Sequence, residues 1–105
     1  MRFAAMIAVA ALWASPTLAA CYEGLGCTDT EIFTPEALSA QSCEVLWEVR
    51  NQLLHDEGFC LTDRAAVEKF GNAQCSIDNP DYLQFNRFEQ TNYEAIRKAE
   101  ADKSC

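Results

Sequence analysis

Hydrophobic residues are arranged along this chain in blocks of different period. Residues 3–13 (FAAMIAVAALW) are an unbroken apolar run, followed by Ala14-Ser15-Pro16 and the small residues Thr17-Leu18-Ala19-Ala20. Residues 21–33 (CYEGLGCTDTEIF) contain glycine and show no period, which predicts an irregular segment. In Thr34-Pro35-Glu36-Ala37 a threonine cap precedes a proline at the first helical position, predicting a short helical turn through Ala40. From Ser42 the period becomes that of a helix. Val45, Leu46, Val49 and Leu53 fall within about 100° of one another, and Trp47 and Leu54 widen the arc to roughly 200°. So wide an arc needs neighbours on two sides. Ser42 caps this helix and Glu44 suits its positive end. Gly58 ends it in a left-handed conformation, with Phe59 folding back toward Leu54.

A second glycine-stopped block follows. Thr62 or Asp63 caps a short helix through Phe70, whose inner face is Ala66, Val67 and Phe70, and Gly71 stops it. Residues 72–84 form a loop with a turn at Asn79-Pro80-Asp81. The last helix occupies residues 86–102, where Phe88, Ala95, Ile96 and Ala99 make one stripe that also contains Asn92, with Tyr93 beside it. No alternating stretch is long enough for a substantial strand, so the expected fold is mostly α.

The first block has another purpose. Met1-Arg2, the apolar run and the small residues before Cys21 are the ordered parts of a cleaved signal peptide over residues 1–20. The run is too short for a bilayer core, which needs about 20 apolar residues, and no second such run follows. Cleavage after Ala19 fits Thr17-Leu18-Ala19. Leu18-Ala19-Ala20-Cys21 also resembles the bacterial lipoprotein box, in which Cys21 would carry a lipid anchor. The expected location is periplasmic or secreted, with an outer-membrane lipoprotein as the alternative.

About 85 residues remain after cleavage, near the size at which a core alone gives only ~3–5 kcal/mol. Cys21, Cys27, Cys43, Cys60, Cys75 and Cys105 therefore read as a disulfide framework in an oxidising compartment. An even count favours pairing all six over lipidating one. Helix length constrains the pairs. Cys43 and Cys60 stand at opposite ends of a helix of about 15 residues, ~22 Å apart, whereas a disulfide needs Cα atoms within ~7 Å. An antiparallel final helix returns Cys105 to Cys43, Cys60 and Cys75 bracket the short helix, and Cys21 is left for Cys27. Removing Arg2 with the leader leaves seven basic residues against sixteen acidic ones, a net charge of −9. That disfavours nucleic acid and anionic lipid surfaces as partners.

A set of landmarks across residues 43–105 carries a resemblance. These are Cys43-x-x-Leu46-Trp47-x-x-Arg50-Asn51, Gly58-Phe59-Cys60-Leu61, Phe70-Gly71-Asn72-x-x-Cys75, and Ile96-Arg97-x-x-Glu100 followed by Cys105. Together they resemble the YARHG-type extracellular domain, in a cysteine-bearing branch found in small exported bacterial proteins. The namesake pentapeptide falls on residues 54–58, where Gly58 alone matches. The resemblance implies a small helical domain outside the cytoplasm and brings no established activity. The expected organisation is a signal peptide over residues 1–20, an irregular segment with a short turn over 21–41, and a YARHG-like helical domain over 42–105.

Candidate chemistry is sparse. His55 is the single histidine and His55-Asp56-Glu57 lacks metal-ligand spacing; no Cys-x-x-Cys, phosphate loop or nucleophile elbow occurs. No catalytic residue, metal or cofactor is expected. Arg50 projects into the apolar arc of its helix and Asn92 into that of the last helix. Arg50, Asn51 and Asn92 are therefore the polar cluster to weigh: Arg50 and Asn92 either satisfy each other or buried carbonyls, or Arg50 and Asn51 hold an anionic or peptide ligand. Three functions stay open. The leading one is a non-enzymatic interaction module whose partner is a protein or cell-envelope component. An acidic, inhibitor-like binder of a cationic extracytoplasmic hydrolase is the second. A small enzyme is the third, and no catalytic constellation supports it.

Overall fold

The computed structural model describes residues 20–105, so the leader expected over residues 1–20 lies, apart from Ala20, outside the described residues. Four α-helices make up about half of what is described. They are α1 (Pro35–Ser39), α2 (Cys43–Asp56), α3 (Arg64–Phe70) and α4 (Arg87–Asp102), with a 3-10 turn at Pro80–Tyr82. The fold is mostly α, held by the disulfides Cys21–Cys27, Cys43–Cys105 and Cys60–Cys75.

The helix ends show why these segments fold locally. Thr34 Oγ1 accepts from the Ala37 N–H, and Ser42 Oγ accepts from that of Val45. Asn86 and Glu89 form a reciprocal capping box at the start of α4. At the end of α2, Gly58 has φ +85°; its N–H donates to His55 and that of Phe59 donates to Leu54. These two bonds satisfy carbonyls that the helix cannot, and Phe59 packs back on the Leu54 cluster. Asp63 occupies the cap position of α3 without capping it. Its carboxylate accepts from the Trp47 indole N–H at 3.2 Å, so a tertiary partner has taken the local one's place.

α2 is apolar around half its circumference because it serves two cores. Leu46, Val49 and Leu53 meet Phe33, Leu38, Ile96 and Ala99 on one side. Leu54 meets Leu61 and Ala66 on the other, with Trp47, Phe59 and Phe70 packed around them. Phe85 and Tyr93 touch both clusters and join them. α4 lies antiparallel to α2: Cys105, beyond its end, meets Cys43 with 5.6 Å between Cα atoms. Leu46, Val49 and Ile96 are fully shielded from solvent. Burying each is worth about 1.5–3 kcal/mol before entropy is counted.

Residues 21–41 differ from the expected irregular appendage. Two short strands, β1 (Cys21–Tyr22) and β2 (Gly26–Cys27), form a small antiparallel hairpin. The disulfide between Cys21 and Cys27 cross-links that pair, and glycines at φ +82° and +120° turn the chain between them. Alternation could not reveal strands of two residues. Tyr22 seats the hairpin on the core; burial, with the Glu48 and Asp56 carboxylates adding to it, pushes its phenol up to about 12. Phe33 and Leu38 are core residues, so this segment belongs to the same folded unit as the helices that follow.

Asn92 holds it there. Fully buried on α4, it accepts from the Phe33 N–H at 2.9 Å and donates to the carbonyls of Thr28 at 3.1 Å and Glu31 at 2.8 Å. Arg50 is not its partner, in contrast to one expectation from sequence. Replacing Asn92 with leucine leaves three backbone groups without this partner, two of them buried, each buried one worth about 1–3 kcal/mol. The expected loss is roughly 3–5 kcal/mol, read from denaturant melts of the oxidised protein. A loss below about 1 kcal/mol would show that water replaces the amide and that the segment is not held this way.

Candidate functional site

The structure separates the three polar residues singled out from sequence. Arg50 lies against α4, where Nε donates to Glu100 Oε1 at 2.6 Å and Nη2 to Oε2 at 3.2 Å. The two side chains keep 27% and 15% exposure, so the pair is shielded from bulk water only in part. Asn51, one residue on, turns away and donates from Nδ2 to the Trp47 carbonyl one turn back. Asn92 is bound to the N-terminal segment. Each of the three has its own partners, and they do not gather into one site. Glu100 was the missing partner. It stands four residues after Ile96 and thus beside the apolar stripe of α4, a placement that marks it as inward-facing.

A second asparagine does for the α3 region what Asn92 does for the N-terminal one. Asn72 accepts from the Leu61 N–H and donates to the Leu61 carbonyl, both at 2.9 Å, closing the chain around α3 as a strand neighbour would. The Cys60–Cys75 disulfide closes the same loop, with Cα atoms 4.9 Å apart. Backbone bonds from Cys60 to Ile77 and from Ser76 and Ile77 to Gly58 continue the closure.

This closure leaves a cleft of about 400 Å³ at the C-terminal end of α2. His55, Asp56 and Gly58 form one wall; Phe59 and Phe70 supply aromatic surface; residues 71–75 form the other wall. The His55 ring lies 5.8 Å from that of Phe70, centroid to centroid. Its Nδ1 is buried and has no hydrogen-bond partner among the described residues, the nearest carboxylate oxygen being Asp56 Oδ1 at 3.8 Å. Asp56 accepts instead from Gln52 Nε2 at 2.8 Å. Glu57 points elsewhere, accepting from the Gln84 N–H; burial pushes its carboxyl above the usual range, that hydrogen bond opposes the rise, and Glu89 and Asp56 add to it. Among the described residues no group of three His, Cys, Asp or Glu side chains could hold a metal ion, and no helix is long and apolar enough to cross a membrane.

Sequence patterning missed the cleft because its residues come from two separated stretches, 55–59 and 70–75. Phe59 and Phe70 read as core positions, and both do pack on the second cluster with one face. Their place beside two stopping glycines was the available signal. Gly58 and Gly71 reverse the chain on either side of α3 and so set the two walls opposite each other.

The Arg50–Glu100 pair gives a direct test of its structural role. Arg50→Met keeps the apolar stem and strands a mostly buried Glu100, at an expected cost of roughly 2 kcal/mol. Adding Glu100→Leu should recover most of that in thermal or denaturant melts. A double variant no more stable than the single one would mean that the arginine acts by other contacts.

No curated protein and no solved structure matches the chain. The family model of the YARHG domain matches residues 23–101, which takes in β2 and α1 as well as the landmarks from Cys43 to Glu100. The chain belongs to the YARHG domain family.

Proposed function

We propose that this domain is a non-enzymatic periplasmic or secreted interaction module that grips a partner protein at the cleft beside His55. One observation carries the proposal. Asn51 and Asn92 bond the chain's own backbone and Arg50 is paired with Glu100, while the cleft holds a buried imidazole nitrogen with no hydrogen-bond partner among the described residues, beside aromatic surface. Apolar walls with a few convergent polar groups suit a protruding side chain. The stretch that corresponds to the namesake pentapeptide, residues 54–58, supplies one wall. A net charge of −9 after removal of the leader favours a partner with a basic surface. The same charge, on a cross-linked fold, supports a second reading, inhibitor-like binding to a cationic extracytoplasmic hydrolase.

Capture from an envelope extract by the immobilised, oxidised domain tests the proposal. His55→Ala removes the imidazole, and Ala73→Arg fills the rim from an exposed position while adding charge that repels a basic partner. Both variants should fold with near-wild-type melting temperatures and lose at least about tenfold in capture, a change of roughly 1.4 kcal/mol. Binding should also weaken as salt rises. Capture unchanged in both variants would place the interface elsewhere. Loss of catalytic activity in a captured hydrolase would select the inhibitor reading.

For location we propose soluble export, with Cys21 paired to Cys27 and not lipidated. A sulfur bonded to Cys27 cannot also carry a thioether-linked lipid. The intact mass of the exported protein should correspond to a chain starting at Ala20 or Cys21 with six half-cystines. A diacylglyceryl mass increment on Cys21 would establish the lipoprotein instead.

A further inference from the structure

The three disulfides differ in their surroundings. Cys60 and Cys75 are half-buried, and Cys27 is half-buried opposite an exposed Cys21; Cys43 and Cys105 are both exposed. Cys105 also borders a groove of about 420 Å³, formed with Arg50, Arg97, Glu100 and Ser104. Arg50 is neutralised there by Glu100. Arg97 is exposed and joins none of the ion pairs among the described residues, its guanidinium resting 5.8 Å from the Tyr93 ring centroid. The groove therefore offers an available cation next to a cystine sulfur in an otherwise acidic chain.

The two sulfurs of this disulfide are not equivalent. Cys43 is the first residue of α2, where the positive end of the helix stabilises a thiolate. Cys105 follows the last turn of α4, where the negative end disfavours one. Thiolate attack releases the better leaving group faster, so attack on Cys105 with departure of Cys43 is the preferred direction. Ser104 sits at φ +58°, in the left-handed turn that ends α4 and presents Cys105, and the Cys105 N–H donates to the Glu100 carbonyl at 2.9 Å.

We infer that Cys43–Cys105 is a thiol-exchange site, opened ahead of the other disulfides by an anionic low-molecular-weight thiol that docks in the Arg50–Arg97 groove. The thiolate of that molecule forms a bond to Cys105 Sγ as the Cys105–Cys43 bond breaks. The electron pair leaves on Cys43 Sγ, giving a Cys43 thiolate and a mixed disulfide on Cys105. A second thiol molecule attacking the small-molecule sulfur of that mixed disulfide completes the reduction and departs as the small-molecule disulfide. Arg50–Glu100 and the apolar contacts of α2 with α4 remain in place, so the helices stay packed while the covalent tie between them is exchanged.

Exposing the oxidised, exported chain to 2-mercaptoethanesulfonate or to cysteamine, at equal thiolate concentration, tests this. Reactions are quenched by alkylation and mapped by mass spectrometry. The first product should carry the sulfonate probe on Cys105 and the alkyl group on Cys43, and should form faster than with the cationic probe. Arg97→Gln should slow the sulfonate reaction by about fivefold, the factor one unit charge gives at close range in water. Its reaction with 2-mercaptoethanol, whose thiolate carries one negative charge fewer than that of the sulfonate, should slow less. Earlier opening of Cys21–Cys27 or Cys60–Cys75, or a first adduct on Cys43, overturns the assignment of the site. Equal rates for the two charged probes overturn the role of the groove.

Discussion

A single amide side chain, that of Asn92, makes three hydrogen bonds that tie the first quarter of the described chain to the last helix. The segment from Thr28 to Phe33 is neither helix nor strand, yet it is pressed against α4 with Phe33 buried in the core. At its two buried ends, Thr28 and Phe33, backbone groups face α4 and need partners there. Asn92 meets that need because an amide offers a donor and an acceptor in one plane, and three backbone groups converge on it. No apolar side chain of the same size could do so. Asn86 adds a bond from its Nδ2 to the Asp29 carbonyl while capping α4, so one helix both ends and anchors the irregular segment.

The same solution recurs around α3. Asn72 bonds both polar groups of Leu61, and the Cys60–Cys75 bridge closes the loop that this pairing aligns. Small exported domains cannot bury enough apolar surface to order long irregular stretches by packing alone. Here the apolar surface is concentrated on α2, which feeds two clusters at once, and the stretches on either side are tied to it by side-chain amides and cystines. The cleft beside His55 follows from this arrangement. Two glycine-stopped helices reverse around α3, and the space between the reversals is bounded by the end of α2 and the Asn72–Cys75 turn.

Much of this organisation was legible in the residues themselves. Helix positions follow from the 3.6-residue spacing of apolar groups and from Ser42, Thr34 and Asn86 at caps, which are local effects with local causes. The half-circumference arc of α2 stated in advance that it would have neighbours on two sides, and both clusters are there. Helix length alone ruled out a bond between Cys43 and Cys60, since α2 keeps them at its opposite ends. Periodicity also places Arg50 and Asn92 as polar residues on the apolar faces of their helices. It does not identify their partners, because it places a side chain on a face of its own helix and says nothing about what lies across the interface.

Sequence by itself thus determined the helices, their apolar faces, their ends and the mostly α class, because each depends on residues within a few positions of one another. Tertiary structure alone decided that Arg50 meets Glu100 fifty residues away, that Asn92 binds the backbone of Thr28, Glu31 and Phe33, and that Asp63 accepts from Trp47 when it could have capped its own helix. It also decided that the described surface has a cleft where α2 ends. Each of these is a choice among several chemically competent partners for one polar group. That choice is settled only when the apolar faces have packed and fixed which groups lose water together.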